Sequence, residues 1–146
     1  MKRKDIRTFI KNGVEAMIPS VEFGSGLITD FNSIRSHTYP SVWMALGIVN
    51  GTNPSAGAPN DEWEIELIVA QKDTLDSDHE VYEQIIDSCD EIAQKLMYKY
   101  NKIVDGYKLV TLSSRKREPF VKRYADCLTG VTLSFTMTIP DRTNVC

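Results

Sequence analysis

Apolar residues recur at three- and four-residue spacing near the start of the chain, where Ile6, Phe9, Ile10, Val14 and Met17 fall on one stripe of a helix ending near Pro19. From Val21 to Phe31 the pattern turns extended, interrupted by Gly24-Ser25-Gly26, which reads as a bend. Tyr39 to Val49 reads as a buried strand carrying Val42, Trp43, Ala45, Leu46 and Ile48. Glu62 to Val69 alternates acids with apolar residues through Leu67, as a strand half buried on one face requires, so Glu62, Glu64 and Glu66 form a row of carboxylates on the other face.

Ser77-Asp78-His79-Glu80 fits a capping box, in which the Ser hydroxyl and Glu carboxylate satisfy free amides at a helix start. Val81, Ile85, Cys89, Ile92, Ala93, Leu96 and Tyr100 then carry an apolar stripe for about six turns, as far as Asp105-Gly106. Tyr107 to Leu112 resumes a strand ahead of the basic run Ser114-Arg115-Lys116-Arg117-Glu118-Pro119. In the last strand Val131, Leu133, Phe135, Met137 and Ile139 alternate with Thr132, Ser134, Thr136 and Thr138, a period of two that buries one face and solvates the other. The predicted order is α-β-β-β-α-β-β. It describes an α+β fold, a mostly antiparallel sheet with one long amphipathic helix packed on it and a shorter N-terminal helix.

Residues 50–61, NGTNPSAGAPND, contain no large apolar side chain and read as a mobile hairpin loop. Its length exceeds the usual hairpin connection of about two to five residues, and two readings follow. It is either a solvated loop or an arm that orders on a partner, with Asn53, Pro54, Gly57 and Pro59 as the contact positions of the arm.

Composition narrows the class more than the function. A chain of 146 residues suits one domain, 1–146, that buries roughly 70% of its unfolded surface and requires no metal or disulfide staple. The N-terminus begins with charges rather than an apolar signal region, and no stretch approaches the ~20 apolar residues of a membrane span. A soluble protein made in the cytoplasm, with no membrane partner, is the expectation. Cys89, Cys127 and Cys146 are odd in number, lack CxxC spacing and read as reduced thiols, the first two in or near the core.

The net charge of −3 conceals blocks: residues 61–94 hold twelve acids against Lys72, or −11, and residues 95–124 hold nine bases against Asp105 and Glu118, or +7. Residues 1–16 add +3, from five bases and two acids. Fields of this kind persist over a Debye length of about 8 Å and bias encounters toward complementary surfaces, so two copies could attract head to tail.

The candidate catalytic groups are poorly arranged for chemistry. If His79 and Cys89 share a helix, ten residues hold them about 15 Å apart along its axis, too far for proton transfer. His37 lies in a polar link. Asp73, Asp76 and Asp78 lack the D-x-D-x-D-G spacing of a calcium loop, and Gly24-Ser25-Gly26 lacks the remaining residues of a nucleotide loop. Glu62, Glu64 and Glu66 stand about 7 Å apart on one strand face, a spacing that in principle supports acid/base pairing, but the row reads first as a solvated or subunit-facing one. No catalytic, cofactor or metal residue is assigned, and an enzyme is not expected.

Arg115, Lys116, Arg117, Lys122 and Arg123, interleaved with Phe120 and Tyr124, form the one group that resembles nucleic-acid binding. The same residues suit a subunit interface or a solvated strand, and the pI of 5.4 argues against dedicated DNA affinity.

The element order, closing on Leu128-Thr129-Gly130-Val131-Thr132-Leu133-Ser134-Phe135, resembles phage tail-terminator and head-to-tail neck proteins. The resemblance covers most of the chain as a pattern without a diagnostic motif. Tyr39-Pro40-Ser41-Val42-Trp43 and the Pro140-Asp141 exit also look like virion proteins of phages infecting Bacteroidales, crAss-like phages among them. The resemblance implies a structural protein of the virion, without a catalytic site, whose copies form a ring around the DNA channel and join neighbouring neck, portal or tail proteins. On that reading one half of the subunit interface is Glu62, Glu64 and Glu66 with Glu83, Asp87 and Asp90 on the main helix, and the other is Arg115, Lys116, Arg117, Lys122 and Arg123. The alternative is a small adaptor domain that binds nucleic acid or protein through residues 115–123.

Overall fold

Both helices form where the 3.6-residue periodicity places them. The computed structural model describes residues 3–17, 21–27, 40–52, 60–105, 111–124 and 127–140. Helix α1 (Arg3–Met17) turns Ile6, Ile10 and Val14 fully inward and leaves Lys4, Arg7 and Lys11 exposed. Helix α2 (His79–Asp105) buries Cys89, Ala93, Leu96, Met97 and Tyr100, with Ile85 and Ile92 half-buried at the margin. Val81, expected on this stripe, is 45% exposed, since the apolar contacts of the helix with the core begin at Ile85.

The expected capping box at Ser77 is corrected by one residue. Asp78 is the N-cap: its Oδ1 accepts the Val81 amide at 3.1 Å and its carbonyl accepts the Tyr82 amide. Aspartate caps as well as serine, and its charge also suits the positive end of the helix dipole. Ser77 presents its carbonyl to the Lys122 ammonium at 2.8 Å instead.

The strands are β1 (Glu22–Gly26), β2 (Ser41–Ala45), β3 (Ile48–Thr52), β4 (Asn60–Lys72), β5 (Thr111–Arg123) and β6 (Leu128–Pro140). They lie in one mostly antiparallel sheet, in the order β1-β2-β4-β6-β5, with β3 following β2 along the same edge of β4. Strands β2 and β3 are the expected strand 39–49 interrupted once. Met44 pairs with Leu67 and Ile48 with Glu64, so three residues face two across the gap, which is a β-bulge. Leu46 sits in that bulge and is 58% exposed, against the expectation that it is buried.

Two further expectations change at the margins. Gly24-Ser25-Gly26 is not a bend but part of β1, which runs parallel to β2 with Gly24 beside Trp43. A side chain at Gly24 would run into the Trp43 ring, so the glycine serves close approach. Within the loop expected at 50–61, Asn50, Gly51 and Thr52 instead pair with Glu62, Asp61 and Asn60 as strand, because ladder pairing overrides weak strand propensity. Asn53, Pro54, Gly57 and Pro59 lie outside the described residues, as do His37 and Cys146.

Alternation on β4 and β6 sorts the core into two layers. Trp63, Ile65, Leu67 and Val69 of β4, with Val131, Leu133, Phe135 and Met137 of β6, face the helices. On the opposite face Trp43, Ile68, Ala70, Phe120 and Leu128 form a smaller buried cluster against which Tyr124 packs. The helices themselves are pinned by Tyr100, whose hydroxyl donates to the Ile10 carbonyl at 2.9 Å and whose ring lies between Phe9 and Phe135. Gly13 of α1 lies directly against that ring, where any β-carbon would collide with it.

Candidate functional site

The basic run 115–119 lies within β5, not after a strand as expected, because β5 pairs with β6 from Thr111↔Thr138 to Arg123↔Leu128. Register shifts at 113–116 and 120–123, with left-handed backbone at Ser114 (φ 54°) and Lys122 (φ 52°), break the simple alternation. Among the described residues β5 is paired on one side only. Its Pro119, its bulges and its cations are devices that discourage another strand from joining such an edge.

These irregularities send the cations to different surroundings. Arg117 pairs with Asp90 of α2 at 3.0 Å, and Arg115 donates to Asn101 of α2 at 2.7 Å. Lys122 reaches the Leu75 and Ser77 carbonyls at 3.0 and 2.8 Å and lies over the Tyr82 ring. Lys116 pairs with Glu118 of its own strand at 3.4 Å. Arg123 is exposed at the end of β5. Three of the five predicted basic interface residues therefore bind the sheet to α2 within the chain, and so does Asp90 from the predicted acidic half.

Glu62, Glu64 and Glu66 stand together as expected, on the sheet face away from the helices. Register places them beside Thr138, Thr136 and Ser134 of β6, forming a ladder of carboxylates and hydroxyls. A shallow depression of about 290 Å³ opens here between Leu46, Glu64, Glu66, Ser114, Ser134 and Thr136. Tyr124 borders the ladder, edge-on to Phe120 at 5.4 Å; burial and the nearby Glu66 charge raise its hydroxyl pKa, against the lowering influence of Arg123. Glu83 and Asp87 occupy the exposed outer side of α2, on the other side of the molecule. The predicted acidic half-interface is thus divided between two surfaces.

The sequence reading missed a buried polar junction where β4, α2, β5 and β6 meet. Asp73 follows β4 and is 5% exposed. Its Oδ1 accepts the Thr74 amide at 2.7 Å and its Oδ2 accepts the Thr129 hydroxyl at 2.6 Å, while that hydroxyl oxygen also accepts the Lys122 amide. The Asp73 amide donates to the Cys127 carbonyl. Burial alone would push the Asp73 carboxyl up, but the Thr129 hydroxyl, the Thr74 amide and the Lys122 charge outweigh it and hold the pKa below its ordinary 3.8. No local signal marks this junction, because Asp73 and Thr129 are 56 residues apart.

The remaining chemistry-bearing residues are placed apart. His79 is exposed in the first turn of α2, and Cys89 is buried with its thiol within 4.0 Å of the Thr129 carbonyl. Burial pushes the Cys89 thiol up to about 12, which keeps it protonated and poorly nucleophilic at neutral pH. Among the described residues, no group of three His, Cys, Asp or Glu side chains is placed to hold a metal ion, and no helix is long and apolar enough to cross a membrane. No protein-family model matches the chain, and no curated protein does.

Proposed function

We propose that this chain is a structural protein of a phage virion, a ring-forming subunit of the neck or tail of the tail-terminator or head-to-tail connector kind. The observation that carries the reading is the separation of surface charge. A carboxylate ladder lies on the open sheet face, acids line the outer side of α2, and Lys4, Arg7 and Lys11 are exposed on α1. A surface of this kind favours heterologous contacts, in which one patch meets a different patch of the next copy, and such contacts close into rings when the rotation permits. The pattern resemblance to neck and tail proteins supports the same reading, with neighbouring virion proteins and the DNA channel as its surroundings.

The adaptor alternative has weaker support, since Arg115, Arg117 and Lys122 engage α2 or the preceding turn rather than presenting a common basic surface. Light scattering after size exclusion, at low and high salt, tests the ring reading. A ring-sized assembly at low salt that loosens as salt rises is the expected result. A monomer at both, which also fails to join a portal or tail-tube preparation, would overturn it.

A further inference from the structure

With Arg115, Arg117 and Lys122 engaged inside the chain, the exposed cations of α1 are the second basic surface that can face the acids. A pocket of about 180 Å³ opens beside them at the N-terminal part of β4, floored by Met44 and Trp63, walled by Gly26 and the bulge at Leu46, and flanked by Lys4 and Arg7 of α1. A cavity of about 150 Å³ is enough to accept a benzene-sized apolar group. The pocket is therefore an apolar notch with two cations at its rim, sized for one large aliphatic side chain.

The opposite end of the sheet carries an exposed apolar turn with acids around it. Leu75, in the turn between β4 and α2, is 81% exposed, and Val81 in the first turn of the helix is also exposed. Around them stand the exposed acids Asp76, Glu80 and Glu83. The turn is a held protrusion: the Lys122 ammonium binds its Leu75 and Ser77 carbonyls, the Ser77 amide donates to the Thr74 carbonyl, and Asp73 anchors its base. Ten residues of extended chain separate Trp63 from Asp73, which puts notch and protrusion about 30 Å apart along β4, so a single molecule cannot join its own two ends.

We infer that the notch between α1 and the β2–β3 bulge receives the Leu75 turn of a second copy, with Lys4 and Arg7 facing Asp76, Glu80 and Glu83 around an apolar centre. This contact rests on the ring reading and specifies it, as a head-to-tail interface whose two halves lie at opposite ends of the sheet. An apolar centre surrounded by a polar, charged rim is the usual anatomy of a protein interface. The ladder of Glu62, Glu64 and Glu66 then remains outside the repeating contact.

The test uses the full-length chain with each half disabled in turn. K4E/R7E alters the notch and L75S/D76K alters the protrusion; circular dichroism and thermal unfolding establish that both fold. Light scattering and negative-stain imaging at low salt are then compared with wild type. Each variant alone is expected to be monomeric, with self-association on the order of a hundredfold weaker because like charges are set face to face. Mixed in equal amounts they should form a dimer and stop, since each supplies one intact half. Because L75S/D76K also removes the apolar contact, a second pair, K4E/R7E with D76K/E80K, checks charge by itself: mixing should restore assembly through the exchanged signs. Wild-type rings that persist unchanged in K4E/R7E and L75S/D76K would overturn this contact and leave the ring reading standing. Wild type that is monomeric and joins no portal or tail preparation would overturn both.

Discussion

At the scale of single residues, two positions show how tertiary contact reverses an intrinsic preference. In an exposed helix, replacing glycine by alanine stabilises by about 1 kcal/mol. At Gly13 the added methyl would meet the Tyr100 ring, so Gly13→Ala is expected to destabilise by about 1–3 kcal/mol, the usual cost of overpacking a filled core. Urea unfolding followed by circular dichroism gives the sign, and a midpoint above wild type would show that the ring can move aside. Asp73 makes the second case. Its folded pKa is lowered, so its contribution to stability is complete above the ordinary value of 3.8 and is lost as pH falls through the folded value. The stability difference between wild type and Asp73→Asn should therefore be constant near neutrality and shrink in the acid range below 3.8. A difference that stays the same across that range would mean that Asp73 acts by its shape and hydrogen bonds and not by its charge.

Among the elements, β5 departs furthest from its simple sequence pattern. Its bulges divide a run of cations that looked like one basic patch, and turn Arg115, Arg117 and Lys122 toward α2 and the turn before it. The resulting clamp is mostly a matter of orientation. Arg117 and Asp90 keep 39% and 31% of their side chains exposed, so solvent screens the pair, and a double-mutant cycle with Arg117→Ala and Asp90→Ala is expected to give a coupling below about 1 kcal/mol. A coupling of several kcal/mol would mean that the pair is shielded far more than its exposure indicates. Helix α2 makes the same point from its polar side: the acids Glu83 and Asp87 stay in solvent, while Asp90, one turn further along, is engaged with the sheet.

For the whole molecule, the two ends of the helix-covered side differ in charge and shape, and its open sheet face carries a separate acidic ladder. Self-association that depends on such ends should fall as ionic strength rises, while the fold, resting on two apolar layers, should not. Thermal unfolding and light scattering run on the same salt series will separate these effects; parallel loss of both would place the charges in the fold rather than in assembly. Helices α1 and α2 and strands β4 and β6, with their buried faces, follow from the sequence alone, because the period of 3.6 in the helices and the period of two in these strands each leave only one face suited to the core. The sequence placed Glu62, Glu64 and Glu66 on a common face for the same reason. What it could not determine was the company each charge keeps. Arg117 meets Asp90 and Asp73 meets Thr129 across 27 and 56 residues of chain, and those meetings depend on strand register and on bulges that only the assembled sheet sets.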